Sequence, residues 1–257
     1  MNNNDIIIIG GGLGGLTTGA LLAKEGRKVT VLEKNNIVGG GLQNFTRKGI
    51  LFDTGMHMLG GFRPGQTLYR ICQHLGIMQK LKLQSVDSDC MDEIYYASNH
   101  TTYRVAEGKA GFVESFATHF PHQRTQLQRY VDAIYELADE IDLFNLRPTG
   151  DGIPLHSDRF MWSADEFIAH YIDDEQLRDV LAYMNPMYGG VAGHTPAYVH
   201  ALISVLYIDG TDRFAGGSQQ LATALAEVIE NAGGKVVPNA EVVRIAVDNR
   251  TATAVQT

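Results

Sequence analysis

Ile6, Ile7, Ile8 and Ile9 run without a polar break into Gly10-Gly11-Gly12-Leu13-Gly14-Gly15. A short apolar run of this kind, closed by glycine, predicts a parallel strand covered on both faces. Past the glycines, Leu16, Ala20 and Ala23 recur at helical spacing, which predicts a helix from Leu13 to about Glu25, stopped by Gly26. Val29, Thr30, Val31 and Leu32 then form a second strand that ends at Glu33. Strand, helix and strand in this order are the nucleus of a doubly wound α/β sheet.

The pattern changes twice more. Leu42 to Phe52 reads as short extended pieces. From about Leu68 amphipathic helices dominate, with Leu68, Ile71, Cys72 and Leu75 on one face. A hairpin at Ile94–Tyr96 and Thr101–Val105 interrupts them. Next comes a helix carrying Phe112, Val113, Phe116 and Phe120, and then a long helix opened by Pro121 with a stripe from Leu127 to Phe144. Arg147 to Pro154 reads as a Pro/Gly loop, and Ser163 with Glu166 predicts a capping box. Near the end, Gly216-Gly217-Ser218 precedes a helix carrying Leu221, Leu225, Val228 and Ile229, and a strand at Lys235–Val237 follows. A last strand pair, Glu241–Val247 and Ala252–Val255, turns at Asp248-Asn249-Arg250. The expected organisation is a Rossmann-like domain from residues 1–66 and 212–257, interrupted by a mostly helical substrate domain over 67–211.

Read as G-x-G-x-x-G on Gly10, Gly12 and Gly15, the first glycine cluster supplies a tight turn, an open backbone for a pyrophosphate and a close helix contact. Free N–H groups at the start of the following helix favour phosphate. Glu33 stands where a carboxylate accepts from ribose hydroxyls and repels a 2′-phosphate. Six residues on, Gly39, Gly40 and Gly41 form a second cluster. A nicotinamide site has no need of that loop, whereas a longer cofactor extended past its pyrophosphate does. FAD is therefore the expected dinucleotide, with an NAD-dependent dehydrogenase as the weaker reading.

Composition narrows the class. The 257 residues are 44% hydrophobic, ample for a packed core. A formal net charge of -8 opposes nucleic-acid binding, which wants a basic surface. Cys72 and Cys90 lack metal or disulfide spacing, His119 and His122 find no third ligand, and no metal is expected. No Gly-x-Ser-x-Gly elbow supports hydrolysis. The first residues, Met-Asn-Asn-Asn-Asp, lack a basic region and a signal-type apolar segment, and Tyr198–Ile208 is too short to cross a bilayer. A cytoplasmic location is expected, with peripheral membrane contact left open.

Further segments carry a family resemblance: Phe52-Asp53-Thr54-Gly55-Met56-His57 with Gly60, Phe120-Pro121, Tyr188-Gly189, Gly216-Gly217 and Ala232-Gly233-Gly234-Lys235-Val236. Together with both glycine clusters and Glu33, they make the chain resemble the phytoene desaturase superfamily of FAD-dependent oxidoreductases, in its branch of retinol saturases and carotenoid isomerases. Met56 and His57 stand where phytoene desaturases more usually carry proline or threonine. The resemblance implies that Gly10, Gly12, Leu13, Gly14 and Gly15 hold the pyrophosphate, and that Glu33, beside Lys34, holds the adenosine ribose. It also implies that Gly39, Gly40 and Gly41 follow the ribityl and flavin side, and that Val242 meets the adenine through its backbone. Family members continue past the position of Thr257, so the expectation is a fragment.

The implied chemistry is exchange of two hydrogens across a carbon–carbon double bond of an isoprenoid polyene, a lipophilic small-molecule substrate. His57 is the candidate proton partner, weighed against a structural histidine. Asp53 is read as fixing local backbone. Tyr188 is read as bordering a cavity or packing, and the Phe112, Phe116 and Phe120 stripe as lining a tunnel or filling the core. The alternatives are a flavin amine oxidase, a protoporphyrinogen oxidase-like enzyme, or an inactive FAD-binding fragment.

Overall fold

The computed structural model describes residues 5–150, 152 and 154–257; residues 1–4 of the N-terminal segment, and Asp151 and Ile153 of the Pro/Gly loop, lie outside the described residues. The chain runs β1 (Asp5–Ile9), α1 (Leu13–Lys24), β2 (Lys28–Leu32), β3 (Asn44–Arg47), β4 (Ile50–Asp53) and α2 (Thr67–Leu75). Then come β5 (Leu83–Ser85), β6 (Asp92–Tyr96), β7 (Thr101–Val105), α3 (Lys109–Ala117) and α4 (Arg124–Asp139). Helices α5 (Ala164–Tyr171), α6 (Glu175–Leu181), α7 (Asn185–Tyr188) and α8 (Ala197–Ile208) follow. The order closes with β8 (Asp212–Phe214), α9 (Gln219–Asn231), β9 (Lys235–Val237), β10 (Arg244–Asp248) and β11 (Thr251–Gln256).

Two compact units result, one from residues 1–58, 70–84 and 213–257, the other from 59–69 and 85–212. Residues 70–84 cluster with the sheet rather than with the helical middle. Their polar bonds explain it: the Lys82 N–H donates to Gln220 Oε1 at 2.6 Å, Arg213 donates to Gln84 Oε1 at 2.8 Å, and Lys80 pairs with Glu227.

In the first unit β1, β2 and β9 form a parallel sheet in the order β1-β2-β9, with Ile8 opposite Val31 and Val31 opposite Val236. One sheet face is dry. Val29 and Val31 are wholly buried on it, with Leu16 and Ala20 of α1 and Ile229 of α9. The other face is open, which corrects the expectation of a first strand covered on both sides. Ile7 and Ile9 are 47% and 48% exposed. Strand β1 is an edge of this sheet, and its outer side chains line a groove of about 720 Å³ with Leu32, Ile245 and Val255.

The second unit is built around α4 and α8, which pack on each other. Phe112, Phe116 and Phe120 are buried in its core, where Phe120 stacks on Tyr103 with ring centroids 5.9 Å apart. The stripe is therefore core packing. Pro121 opens a short 3-10 turn, Pro121–Gln123, before α4 begins at Arg124. The predicted stripe outruns the helix, because Asn145 Nδ2 donates to the carbonyls of Ala138 and Ile141, both at 2.9 Å, and satisfies acceptors that another turn would have used. Both halves of the predicted capping box form: Ser163 Oγ accepts from the Glu166 N–H, and Glu166 Oε2 accepts from the Ser163 N–H. No helix among the described residues is long and apolar enough to cross a membrane.

His200 on α8 is completely buried. Its Nε2 lies 2.6 Å from the Tyr130 hydroxyl and its Nδ1 2.9 Å from that of Tyr188, so one ring nitrogen donates and the other accepts. Tyr188 is thereby placed in an internal hydrogen-bond chain. Burial pushes the His200 pKa down to about 4. An unfolded chain protonates this imidazole near its ordinary value while the folded protein does not, so stability present at neutral pH is lost as pH falls. Urea unfolding is expected to show that loss between about pH 6.5 and 4, at up to about 1.4 kcal/mol per unit, with a shallower slope in His200→Gln. Ser163→Ala is expected to cost about 1 kcal/mol in the same assay through loss of the cap.

Candidate functional site: two abutting glycine loops

Strand β1 ends at Gly10, whose φ of 103° belongs to a region that side chains disfavour. Its N–H still donates to Leu32 O at 2.7 Å, extending the β1–β2 pairing by one bond. Helix α1 then starts at Leu13 with Gly12 as its N-cap and no side-chain cap. The first intrahelical bond is Leu16 N–H to Gly12 O, at 2.9 Å, which leaves the N–H groups of Leu13, Gly14 and Gly15 without helical partners. A Cβ at Gly15 would lie 2.0 Å from Gly10 O, so the third glycine of the motif is fixed by packing. Cβ atoms at Gly12 and Gly14 would meet nothing within 4 Å, so the backbone is open there.

The second glycine cluster folds back onto the first. The Gly39 N–H donates to Gly11 O at 2.6 Å, and Gly12 and Gly39 form an isolated parallel bridge. A Cβ on Gly40 would stand 3.2 Å from Gly12 Cα. The track continues through Gly41, whose carbonyl would lie 3.2 Å from a Cβ on Gly55. Three chain segments, at Gly12, at Gly39 to Gly41 and at Gly55, thus pack backbone on backbone.

Glu33 is 6% exposed. Its Oε2 accepts from the Gly11 N–H at 2.7 Å, and its Oε1 accepts from the Asn35 N–H at 2.9 Å and from Asn35 Nδ2 at 2.8 Å. An ionised carboxylate offers about four acceptor positions, and three are filled here, so one remains for a ribose hydroxyl. Gly11 spends its N–H on Glu33 and has none left for phosphate. Lys34 is exposed. Val242 is half-buried shortly after a segment tied to the Glu33 strand: Ala240 N–H donates to Glu33 O and Asn239 N–H to Asn35 O. Hydrogen bonds thus tie the first glycine loop, Glu33 and the Asn239-Ala240 segment together in the first unit.

Sequence reasoning did not reveal what supports this arrangement. Asp53 Oδ1 accepts from the Ser218 N–H at 2.8 Å, lies 2.9 Å from Ser218 Oγ, and also accepts from Asn44 Nδ2. Asn44 Oδ1 accepts from the Gln219 N–H at 3.0 Å, and Gln219 Nε2 donates to Val38 O at 3.0 Å. The start of α9 thereby braces the second glycine loop and its hairpin. Only the glycines before Ser218 hinted at this, as a helix start. Asp53 is a backbone anchor, as its residue type suggested. Burial alone would raise its pKa, but the hydrogen bonds from Ser218 and Asn44 and the nearby His57 outweigh that and hold it below the ordinary carboxylate value. His57 is exposed, two residues past Gly55, near enough to act on Asp53 electrostatically. No group of His, Cys, Asp and Glu side chains among the described residues has metal-binding geometry.

Residues 8–75 match the family described as NAD(P)-binding Rossmann-like domain. The chain is 27% identical over 261 residues to all-trans-retinol 13,14-reductase of Homo sapiens, covering 95% of this chain and 42% of that protein. It is 26% identical over 267 residues to prolycopene isomerase 2, chloroplastic, of an Oncidium hybrid cultivar, covering 98% and 45%. It is also 26% identical over 255 residues to 4,4'-diapophytoene desaturase (4,4'-diaponeurosporene-forming) of Staphylococcus aureus (strain MRSA252), covering 95% and 50%. The chain therefore spans half or less of the length of these relatives. Among solved structures, an oxidoreductase from Methanosarcina mazei superposes with a TM-score of 0.68 at 23% identity, covering 98% of this chain and 55% of that one. Putrescine oxidase bound to putrescine gives 0.63 at 22%, covering 93% and 51%. These structures share the fold.

The Asp53 anchor generates a prediction with a definite sign. Its folded-state pKa is depressed, so its contribution is present above the ordinary carboxylate value near 3.8 and is lost as pH falls through the lower folded value. Asp53→Ala is expected to cost about 2 kcal/mol in urea unfolding at pH 7, the range for hydrogen bonds to a charged group, and less below pH 4. Gly15→Ala, with its Cβ against Gly10 O, is expected to lower the thermal midpoint by several degrees or to prevent folding.

Proposed function

We propose that this chain, a relative of the phytoene desaturase-like superfamily of FAD-dependent oxidoreductases, forms the FAD-binding portion of an enzyme acting on a carbon–carbon double bond of an isoprenoid polyene. The observation that carries the cofactor is the abutment of the two glycine loops. A nicotinamide dinucleotide needs the first loop, and the second, packed against it at Gly40 and open at Gly41, offers a longer cofactor further backbone to run along past its pyrophosphate. On this reading the N–H groups of Leu13, Gly14 and Gly15, with the open backbone at Gly10 and Gly12, receive the pyrophosphate. The remaining acceptor position of Glu33 takes a ribose hydroxyl, with Lys34 beside it, and the backbone at Val242 borders the adenine.

Bound FAD supplies hydride exchange at a carbon centre, and the protein supplies positioning, exclusion of water and a proton. His57 is our candidate for that proton exchange, because it follows the Gly55 turn that lies against Gly41. The polyene substrate is supported by the names of the relatives, a retinol reductase, a prolycopene isomerase and a diapophytoene desaturase. A flavin amine oxidase activity is the second reading, favoured by the fold shared with putrescine oxidase.

Differential scanning fluorimetry tests the cofactor. FAD is expected to raise the melting temperature and NAD to leave it unchanged; at 100 times its dissociation constant a ligand adds about 2.7 kcal/mol. Glu33→Ala is expected to weaken FAD binding by roughly 10-fold or more, in line with loss of a charge-assisted hydrogen bond. A chain stabilised by NAD alone would overturn the FAD reading. Reoxidation of reduced flavin by a polyene supports the substrate class, whereas bleaching by an amine supports the second reading.

A further inference from the structure

Strands β3 and β4 form a hairpin closed by a two-residue loop, Lys48-Gly49, with φ values of 52° and 78°. Both loop residues are left-handed, which suits the twist of a tight hairpin. In its register Asn44 pairs with Asp53, Phe45 with Phe52, Thr46 with Leu51, and Arg47 with Ile50. Side chains alternate between faces, so Phe45, Arg47, Ile50 and Phe52 share one face, while Asn44 and Asp53 share the other. The second face is anchored at its base, where Asn44 and Asp53 hold Gln219 and Ser218, while Leu51 near the tip is 48% exposed on it.

The first face has no such cover. Phe45, Ile50 and Phe52 are 48%, 61% and 42% exposed, and the two phenyl rings stack with centroids 5.3 Å apart. Arg47 and Lys48 are exposed at the tip, and neither forms an ion pair among the described residues. Lys34 to Phe52 holds three cations, Lys34, Arg47 and Lys48, and no Asp or Glu, in a chain whose net charge is -8. Aromatic and aliphatic side chains beside unpaired cations match an anionic bilayer surface, with lipid phosphates for the cations and the acyl boundary for the rings. We propose that the β3–β4 hairpin is a membrane-docking element that inserts the tip face bearing Phe45, Ile50 and Phe52 into an anionic lipid surface. The inference stands apart from the polyene reading, since the hairpin needs neither cofactor nor substrate to bind lipid.

The test is co-sedimentation of the full 257-residue chain with vesicles of phosphatidylglycerol and phosphatidylcholine in equal parts, against phosphatidylcholine alone. The expected result is partition onto the anionic vesicles that weakens as salt is raised. Arg47→Gln with Lys48→Gln should weaken it by about 30-fold, on the scale of two basic residues near a charged surface. Ile50→Ser should weaken it with an unchanged circular dichroism spectrum, and Ile50→Trp should give blue-shifted emission on addition of anionic vesicles. No partition, or partition indifferent to Arg47 and Lys48, overturns the proposal. So does a concentration-dependent dimer that Ile50→Ser dissociates, because a second copy would then cover the face.

Discussion

The candidate site depends on one contact between backbones. Gly39 donates to Gly11 O, Gly12 bridges Gly39, and the Gly11 N–H is held in turn by the buried carboxylate of Glu33. A Cβ at Gly40 would press on Gly12 and push the loops apart, and one at Gly15 would collide with Gly10 O inside the first loop. Glu33 therefore fixes the geometry of the first loop from within while keeping one acceptor position free. The same carboxylate that marks the end of β2 in the sequence is a structural support as well as a candidate ligand group.

The strand, helix and strand at the head of the chain were legible because their signals are local. A glycine-closed apolar run, a helical repeat and an acid at a strand end need no distant partner to be understood. The capping box at Ser163 and the hairpin at β6–β7 were readable for the same reason. Features that depend on distant chain were not. The exposure of Ile7 and Ile9 follows from which elements cover the sheet, and four consecutive isoleucines carry no information about that. The end of α4 was missed because an apolar stripe continues at helical spacing past Glu140 while Asn145 has already taken the terminal carbonyls.

The candidate site divides along the same line. The glycines of the two clusters were identifiable from spacing, and Gly55 and Val242 only from resemblance. Asp53 pointed to a turn, but its partner Ser218 lies 165 positions away, and Gln219, the partner of Asn44, 175 away, beyond the reach of any periodicity. His57 is placed near Asp53 by this folding and remains exposed. The neutral, buried His200 shows the opposite case, an imidazole wholly committed to two tyrosine hydroxyls inside the helical unit.

Strand β9 pairs with β2 in parallel, Thr30 opposite Lys235, and α9 packs on α1 across a similar gap in sequence. During synthesis the amino-terminal strands and helix leave the ribosome long before either partner exists. The apolar side of β2 must wait for some two hundred further residues, the kind of long-range closure that slows folding and leaves intermediates open to aggregation. A ribosome paused within the helical segment would thus carry an immature nucleotide fold, a natural client for a chaperone that shields hydrophobic strands.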